Sequence, residues 1–301
     1  MVPALPIVFL AHLATVRINE NDDFPKVNKC MSEDFHRERM VPHVGTYRRE
    51  LPVSIERLYE NAIDWAHLPY LHRNSFAQIE CAEAGVWGFH ARVWPQPYNE
   101  RRSVDIELKL DREPRRWITS TLDGPGAGTE VWTHAFSLAE RQTLVVVDCF
   151  VPGVDEARRI EIGRFYTNLY ARLYDEDVLM MSERQAQLDA SRARVAENSA
   201  SMVLGSLAEV HGRLPITIDS GGGKFCIFDS RGELVAYSAV CPHLLGPLGE
   251  SKVRDGIVEC PWYGYAYDIR MRKCVTGANL SLAIAPRVRI DTDSRVVLEF
   301  R

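Results

Sequence analysis

The 301-residue chain lacks three features that would each place it in a large class of proteins. It has no basic surplus, because its net charge is −5, so the charge pattern of a nucleic-acid-binding protein is missing. It has no apolar run long enough to span a bilayer, and its opening segment has no basic region of the kind that begins a signal peptide. Its seven cysteines are scattered and odd in number, which argues against a dense disulfide framework. We therefore expect a cytoplasmic protein that binds neither membranes nor nucleic acid.

Apolar residues, in contrast, make up 46% of the chain, which is ample for the two domains that its length predicts. Ser54 is suited to cap a helix, and a second, longer helix is predicted from Glu161. Alternation of apolar and polar residues predicts antiparallel strands between them. These stretches are 87–93, 104–110, 117–121, 131–136 and 143–150. The composition and periodicity indicate an α+β class, with the order of elements that is typical of a helix-grip domain.

Domain boundaries follow from changes in composition along the chain. Residues 1–45 show no clean period and are interpreted as an N-terminal extension, followed by the helix-grip domain over residues 46–189. Residues 190–201 are small, polar and charged, as expected of a linker. Short strands then return at close spacing, so residues 202–301 are predicted to form a small all-β domain.

The segment 61–72 contains a carboxylate and two imidazoles, in Asp64, His67 and His72. On a regular helix, His67 and His72 would lie roughly 140° apart, but Pro69 between them kinks or ends the helix and can bring the rings together. Two imidazoles and one carboxylate from elsewhere are the ligands of many non-haem Fe(II) sites. The segment therefore predicts a mononuclear iron site, with two structural histidines as the alternative.

Two cysteine-containing loops lie in the predicted β domain. Cys241-Pro-His243 opens the first, and Cys260-Pro-Trp-Tyr263 follows after sixteen intervening residues. Two thiolates on one iron and two imidazoles on the other are the ligands of a Rieske [2Fe-2S] cluster, so this pattern indicates a Rieske-type domain.

The fourth position of the cluster pattern is occupied by Tyr263 where a histidine is expected. Three outcomes stay open: Tyr263 binds as a phenolate, an outside ligand such as water replaces the imidazole, or no cluster assembles. A phenol must lose its proton to bind a metal, so ligation demands more of the site than a neutral imidazole would. Cys274 is the other thiol near these loops and is interpreted as a core residue.

With both motifs in view, the chain over residues 46–301 resembles the Rieske non-haem iron oxygenases. The resemblance implies that His67, His72 and Asp177 bind Fe(II), and that Asp64 links this iron to a Rieske cluster, usually that of a neighbouring chain in a homotrimer. Asp177 is chosen over Asp175 and Glu176 because of its place before Val-Leu-Met-Met-Ser-Glu.

The resemblance also implies partners and chemistry. Electrons would come from NAD(P)H through a separate reductase or ferredoxin, and oxygen from O2 would enter a small aromatic or alicyclic substrate. The chain departs from the family at Tyr263 and in its domain order, because the Rieske-type domain here follows the iron domain. Four aromatic residues are candidates for the pocket lining, although ordinary core positions are the favoured alternative for them. Two histidines on strands are interpreted as structural, with contact to the substrate as the alternative. The aromatics are Trp87, Phe89, Trp132 and Phe136, and the histidines are His90 and His134.

Three functions remain to be distinguished. The first is an oxygenase supplied with electrons by the Rieske-type domain. The second is a mononuclear-iron enzyme whose cluster is absent or atypical because of Tyr263. The third is a non-catalytic subunit that binds a small apolar ligand, which the two histidines and the carboxylate argue against.

Overall fold

A computed structural model of the protein describes residues 41–193, 201–220 and 223–300. The first part of the chain forms one seven-stranded antiparallel sheet and three helices. The strands are β1 His43–Leu51, β2 Phe76–Gly85, β3 Gly88–Pro95, β4 Val104–Asp111, β5 Arg116–Asp123, β6 Glu130–Ala139 and β7 Gln142–Phe150, in the spatial order β1-β7-β6-β5-β4-β3-β2. The helices are α1 Ile55–Ala62, α2 Leu68–Leu71 and the 38-residue α3 Glu156–Ala193.

One face of the sheet packs against α3 and forms the main core. Along β7, the buried side chains alternate with partly exposed ones, as the periodicity predicted. The ring of Tyr47 on β1 stacks on Tyr174 of α3, with the centroids 5.9 Å apart. Gly163 lets α3 approach β1 closely, since a Cβ there would lie 2.2 Å from the carbonyl oxygen of Val44. A long helix against a curved sheet is the predicted helix-grip arrangement.

The edge strand β2 was not predicted from the sequence. Two register irregularities interrupt its pairing with β3, between Phe76 and Gln78 and between Cys81 and Glu83. Each irregularity shifts the phase of the side chains, so apolar residues do not alternate along the strand. The strand therefore has no period-two signal to detect.

Ser54 caps α1 as predicted, because its side-chain oxygen accepts a hydrogen bond from the backbone N–H of Arg57. The helix ends at Ala62, several residues before Pro69, which lies instead in the first turn of the separate helix α2. The prediction that Pro69 kinks or ends the helix that carries both histidines was therefore wrong. The side chain of Asp64 accepts from the backbone N–H of Ala66, and this local bond competes with continuation of the helix.

The C-terminal part is an all-β domain with one short helix, α4 Leu207–His211, and a 3₁₀ turn at Leu248–Glu250. Its strands are β8 Ser201–Ser206, β9 Ile216–Ser220, β10 Gly223–Ser230, β11 Glu233–Ser238, β12 Ile257–Glu259, β13 Ala266–Asp268, β14 Arg287–Ile290 and β15 Arg295–Glu299. They form three sheets in the orders β11-β10-β9, β12-β13 and β14-β15-β8. The predicted fold class, a helix-grip domain followed by a small all-β domain, is confirmed.

The boundaries proposed for the domains stay predictions. Strand β1 begins at His43, slightly inside the predicted extension, and residues 1–40 lie outside the described part of the chain. Most of the predicted linker also lies outside it. Among the helices in the described ranges, none has both the length and the apolar character that crossing a bilayer requires.

Candidate metal centre

His67, His72 and Asp177 converge in the interior of the first domain. Each offers a donor atom, and these atoms all lie within 4.8 Å of one another. Asp177 Oδ1 is 3.1 Å from His72 Nε2 and 3.6 Å from His67 Nε2. All three residues are buried. Two imidazoles and a carboxylate that meet away from solvent are a suitable ligand set for Fe(II).

The geometry follows from the break between α1 and α2. His67 precedes the single turn of α2 and His72 follows it, so the short helix brings the two rings to a centroid distance of 5.1 Å. Asp177 comes from the middle of α3. The two histidines therefore meet across one helical turn, and the long helix supplies the carboxylate.

The neighbouring acidic residues of α3 have other roles in the structure. Glu176 Oε2 lies 2.6 Å from His72 Nδ1, the ring nitrogen that faces away from the triad. Asp175 is largely exposed and pairs with Arg49 at 2.5 Å. Of the three candidates for the third ligand, Asp177 is the one beside both imidazoles.

Hydrogen bonds around the triad hold its members in place. Asn61 donates to Asp177 Oδ1 at 3.0 Å, and Glu176 fixes the orientation of the His72 ring. Burial by itself lowers the pKa of His72, but the carboxylates of Asp177 and Glu176 outweigh burial and raise this pKa above its usual value. The negative surroundings therefore favour a cation at this position.

Asp64 lies between the triad and the C-terminal domain. Its Oδ2 is 3.4 Å from His67 Nδ1, and the same oxygen accepts a hydrogen bond from the hydroxyl of Tyr263. Burial acts to raise the pKa of Asp64, and the nearby His67 imidazole and the Tyr263 hydroxyl together bring this pKa below its ordinary value. Within the described part of the chain, His67 Nδ1 is itself buried without a hydrogen-bond partner. Asp64 thus places a carboxyl group in contact with both domains.

The two loops of the C-terminal domain bring Cys241 and Cys260 together. Both are fully buried, and their side chains are hydrogen-bonded, which lowers the pKa of Cys241 and raises that of Cys260. Tight turns hold the loops, because the backbone N–H of Leu245 donates to the carbonyl of Cys241 and that of Gly264 to the carbonyl of Cys260. Two buried thiols side by side are suited to bind a metal as thiolates.

The loops contain donors for three of the four ligand positions of a Rieske cluster. Among the residues that the structure describes, His243 Nδ1 is buried with no hydrogen-bond partner, as expected of a nitrogen that binds a metal. The group of described His, Cys, Asp and Glu residues that could hold a single ion is His67, His72 and Asp177. Cys241, Cys260 and His243 would instead supply two thiolates and one imidazole to a two-iron cluster.

Tyr263 does not fit the fourth ligand position. Its hydroxyl donates to Asp64, and burial together with the Asp64 carboxylate raises the pKa of this phenol far above its usual value. Cys274 is half-buried and contacts the hydroxyl of Thr276 at 3.2 Å, so it lies at the rim of the domain core.

A cavity of about 130 Å³ adjoins the triad. Apolar side chains from the sheet and the three helices form most of its wall. Beside the triad, Asn61, Asp64 and three hydroxyl-bearing residues form the rest. The apolar lining is Ala62, Leu68, Phe76, Phe89, Ile106, Leu108, Trp117 and Leu173, and the hydroxyls belong to Thr119, Tyr170 and Tyr174.

Of the four aromatic candidates for the cavity lining, Phe89 lies there and the other three do not. On β6, the neighbours Val131 and Thr133 belong to the buried inner face, so Trp132 and Phe136 point to the opposite face, where Trp132 packs against Phe150. Trp87 lies in the turn before β3 and is absent from the lining, as are His90 and His134. Trp117 and Tyr170 were missed, although the alternation along β5 and the helical period of α3 place them on inward faces.

Comparison with known proteins identifies the C-terminal domain. Residues 200–283 match the family described as Rieske [2Fe-2S] domain, and this match implies a [2Fe-2S] cluster there. No curated protein sequence matches the chain.

Solved structures similar to parts of the chain include three of low sequence identity. A START superfamily protein from Mycobacterium smegmatis is 15% identical, with 44% of this chain and 96% of that one covered and a TM-score of 0.37. The Zhui aromatase/cyclase from Streptomyces sp. R1128 is 15% identical over 48% and 95%, with a TM-score of 0.39. The ferredoxin of carbazole 1,9a-dioxygenase from Nocardioides aromaticivorans IC177 is 18% identical over 34% and 100%, with a TM-score of 0.30.

Proposed function

We propose that the protein is a Rieske-type, O2-dependent oxidoreductase of a small aromatic or alicyclic substrate, with one Fe(II) held by His67, His72 and Asp177. The observation that supports this function most directly is the buried set of two imidazoles and one carboxylate beside an apolar cavity. When Fe(II) is bound by two imidazoles and one carboxylate, it supplies dioxygen activation next to a substrate. A pocket that only bound an apolar ligand would have no need of this donor set.

The chain itself positions the ligands and the substrate. Glu176 holds the Nδ1 side of His72, and Asn61 holds Asp177, so both ligands keep their donor atoms toward the same point. The apolar wall of the cavity excludes water, while its hydroxyl groups offer hydrogen bonds that orient a substrate.

The cavity volume supports a small substrate. An engineered apolar cavity of about 150 Å³ binds benzene, so the space of about 130 Å³ beside the triad matches one six-membered ring. We propose a monocyclic compound as the substrate, oriented by the hydroxyl-bearing part of the wall.

Electrons would arrive through the C-terminal domain. The Rieske match over residues 200–283 supports a role in electron transfer, and Asp64 lies between this domain and His67. We propose a separate ferredoxin or reductase that uses NAD(P)H as the source. The homotrimer implied by the family resemblance stays a prediction.

The test uses the full chain, purified without oxygen and loaded with ferrous iron and sulfide. With a reduced ferredoxin as electron donor, a panel of monocyclic aromatic and alicyclic compounds is incubated under ¹⁸O2 and searched by mass spectrometry for labelled products. Wild type and His90→Ala, a histidine outside the cavity, are expected to bind ferrous iron and give labelled product. His72→Ala is expected to do neither. A wild-type chain that binds no mononuclear iron would contradict the proposal, as would labelled product from His72→Ala.

A second function is favoured by one observation, the hydrogen bond from Tyr263 to Asp64. If this tyrosine prevents a working cluster, the protein is an iron enzyme that receives electrons from its substrate or a co-substrate. The variant Tyr263→His separates the two functions. Ferredoxin-dependent turnover that appears only in this variant supports the second function, whereas wild-type turnover at full rate excludes it.

A further inference from the structure

The side chain of Tyr263 has one polar atom. The resemblance to the Rieske oxygenases implies a histidine at this position, and its ring has two nitrogens. A histidine there can bind iron through one ring nitrogen and reach a carboxylate through the other. The Tyr263 hydroxyl has a single oxygen, and its O–H donates to Asp64 Oδ2. The side chain therefore fulfils the contact with the carboxylate and has no second donor atom to offer the cluster.

The surroundings hold the ring of Tyr263 in this orientation. The residue is 5% exposed, and its ring lies edge-on to that of His243 with the centroids 4.4 Å apart. The adjacent Gly264 has a φ of +66°, and a Cβ on it would lie 2.1 Å from Cε1 of Tyr70. The backbone after Tyr263 thus lies directly against the side chain of Tyr70 from the first domain.

The contact belongs to a continuous interface inside one chain. Met180 from α3 is buried in the same apolar cluster as the C-terminal residues Leu248 and Trp262, and Ala66 and Leu71 of the first domain pack against this cluster. Asp64 Oδ2 is also the atom near His67, so the path from His243 through Tyr263 and Asp64 to His67 lies within a single chain. No neighbouring subunit has to supply any of these groups.

Ligation by a phenolate would undo this arrangement. A phenol binds a metal as a phenolate, without its proton. Tyr263 could then no longer donate to Asp64, so the hydrogen bond between the two domains would be lost.

We propose that Tyr263 is a positioning residue that joins the Rieske-type domain to Asp64 of the same chain, and that the cluster is held by Cys241, His243 and Cys260 without it. One iron position is then left to a ligand derived from solvent. The proposal rests on the proposed function, because Asp64 matters as the residue beside an iron ligand.

The test compares Tyr263→Phe with the matched control Tyr265→Phe, whose ring lies 4.8 Å from that of His243. Full-length protein is loaded anaerobically with iron and sulfide, and the electron paramagnetic resonance of the reduced cluster is recorded. Hydrogen exchange is measured over residues 61–72. For Tyr263→Phe we expect an unchanged cluster spectrum. We also expect hydrogen exchange over residues 61–72 to be at least about tenfold faster than in wild type, because a hydrogen bond to a charged group is lost. For Tyr265→Phe we expect wild-type values in both measurements.

Tyr263→His completes the test. Its imidazole can still reach Asp64, so slow exchange should return, and its second nitrogen should shift the cluster spectrum toward that of a two-imidazole Rieske centre. A changed cluster spectrum or iron-to-sulfide ratio in Tyr263→Phe would overturn the proposal, because it would show that the phenol binds iron. Unchanged exchange in that variant would overturn the positioning role.

These outcomes are separate from those that test the proposed function. The proposed function is contradicted if wild type binds no mononuclear iron or if His72→Ala gives labelled product. Neither quantity is measured in the comparison of tyrosine variants. If wild type retains no acid-labile sulfide, the assignment of a cluster to Cys241, His243 and Cys260 is overturned, and the exchange measurement alone decides whether Tyr263 positions Asp64.

Discussion

The two donor sets of this protein differ in how completely their atoms are available to a metal. In the first domain, His67, His72 and Asp177 direct donor atoms to one point. In the C-terminal domain, two thiols and one imidazole are available, while the fourth side chain is hydrogen-bonded to a carboxylate of the other domain. The comparison shows that a motif identifies residue types, but ligation depends on which lone pairs the surrounding structure leaves free.

The two sets also differ in their supporting residues. The His72 ring is fixed by Glu176 on its far side, and Asn61 holds Asp177. Among the described residues, His243 Nδ1 has no hydrogen-bond partner, and Tyr263 provides a contact between domains. The first set is therefore held in an arrangement that suits one ion, whereas the second combines the thiols and imidazole of the Rieske-type domain with a domain interface.

The largest expected effect is the loss of iron from the first set alone. His72→Ala removes one of three ligands and leaves Asp177 buried beside a cavity, so we expect the mononuclear iron to be lost and the cluster sulfide to be retained. Iron and acid-labile sulfide analysis measures both quantities. His90→Ala, outside the cavity, is the control, and loss of sulfide from His72→Ala would show that the two sites are not independent.

The next largest effect is expected from changing a residue that holds a metal ligand in place. Glu176→Gln keeps the size of the side chain but removes the charge that orients His72. We expect iron affinity to fall by about 10- to 100-fold, as is common for residues that hold metal ligands. A competition titration with a ferrous chelator measures the change. Asp175→Asn, which affects an exposed ion pair, should leave the affinity as in wild type.

The interface between the sets is tested at Gly264. In Gly264→Ala, the new Cβ would lie 2.1 Å from Tyr70 and the φ of +66° would be strained. Gly277→Ala is the matched control, because Gly277 also has a positive φ, of +95°, but has open space around it. We expect Gly264→Ala to lower the free energy of unfolding by about 2 kcal/mol more than the control, as measured by urea denaturation. Equal losses in both variants would argue against a tight contact between the domains.

The smallest effect is expected at Cys274. Its sulfur contacts Thr276 at the rim of the domain core, so Cys274→Ser should change the free energy of unfolding by less than about 1 kcal/mol. The sulfide content and the cluster spectrum should stay as in wild type. A loss of cluster in this variant would show that Cys274 supplies the missing fourth ligand.

Much of the fold could be predicted because its signals are local. Strict alternation predicted β3 to β7, and the spacing of apolar residues together with Ser54 predicted the start of α1. The edge strand β2 could not be found in this way, since its irregularities break the period. Likewise, the end of α1 at Ala62 depends on a side-chain bond from Asp64 that competes with the helix.

The residues of the site could be predicted from the sequence, but the directions in which their side chains point could not. The three proposed iron ligands are brought together, although Asp177 is far from the histidines in sequence. Alternation shows that a strand has two faces but does not reveal which face is inward, and for this reason Trp132 was expected in the cavity that Trp117 lines. The bond between Tyr263 and Asp64 joins residues 199 positions apart and depends on how the domains pack.

The most direct test of the iron site is quantitative iron and sulfide analysis of anaerobically loaded wild type and Asp177→Ala. We expect wild type to contain about one iron per chain beyond the iron matched by sulfide, and Asp177→Ala to lose that iron alone. If Asp177→Ala retained as much iron as wild type at equal sulfide content, His67, His72 and Asp177 would not form the metal site.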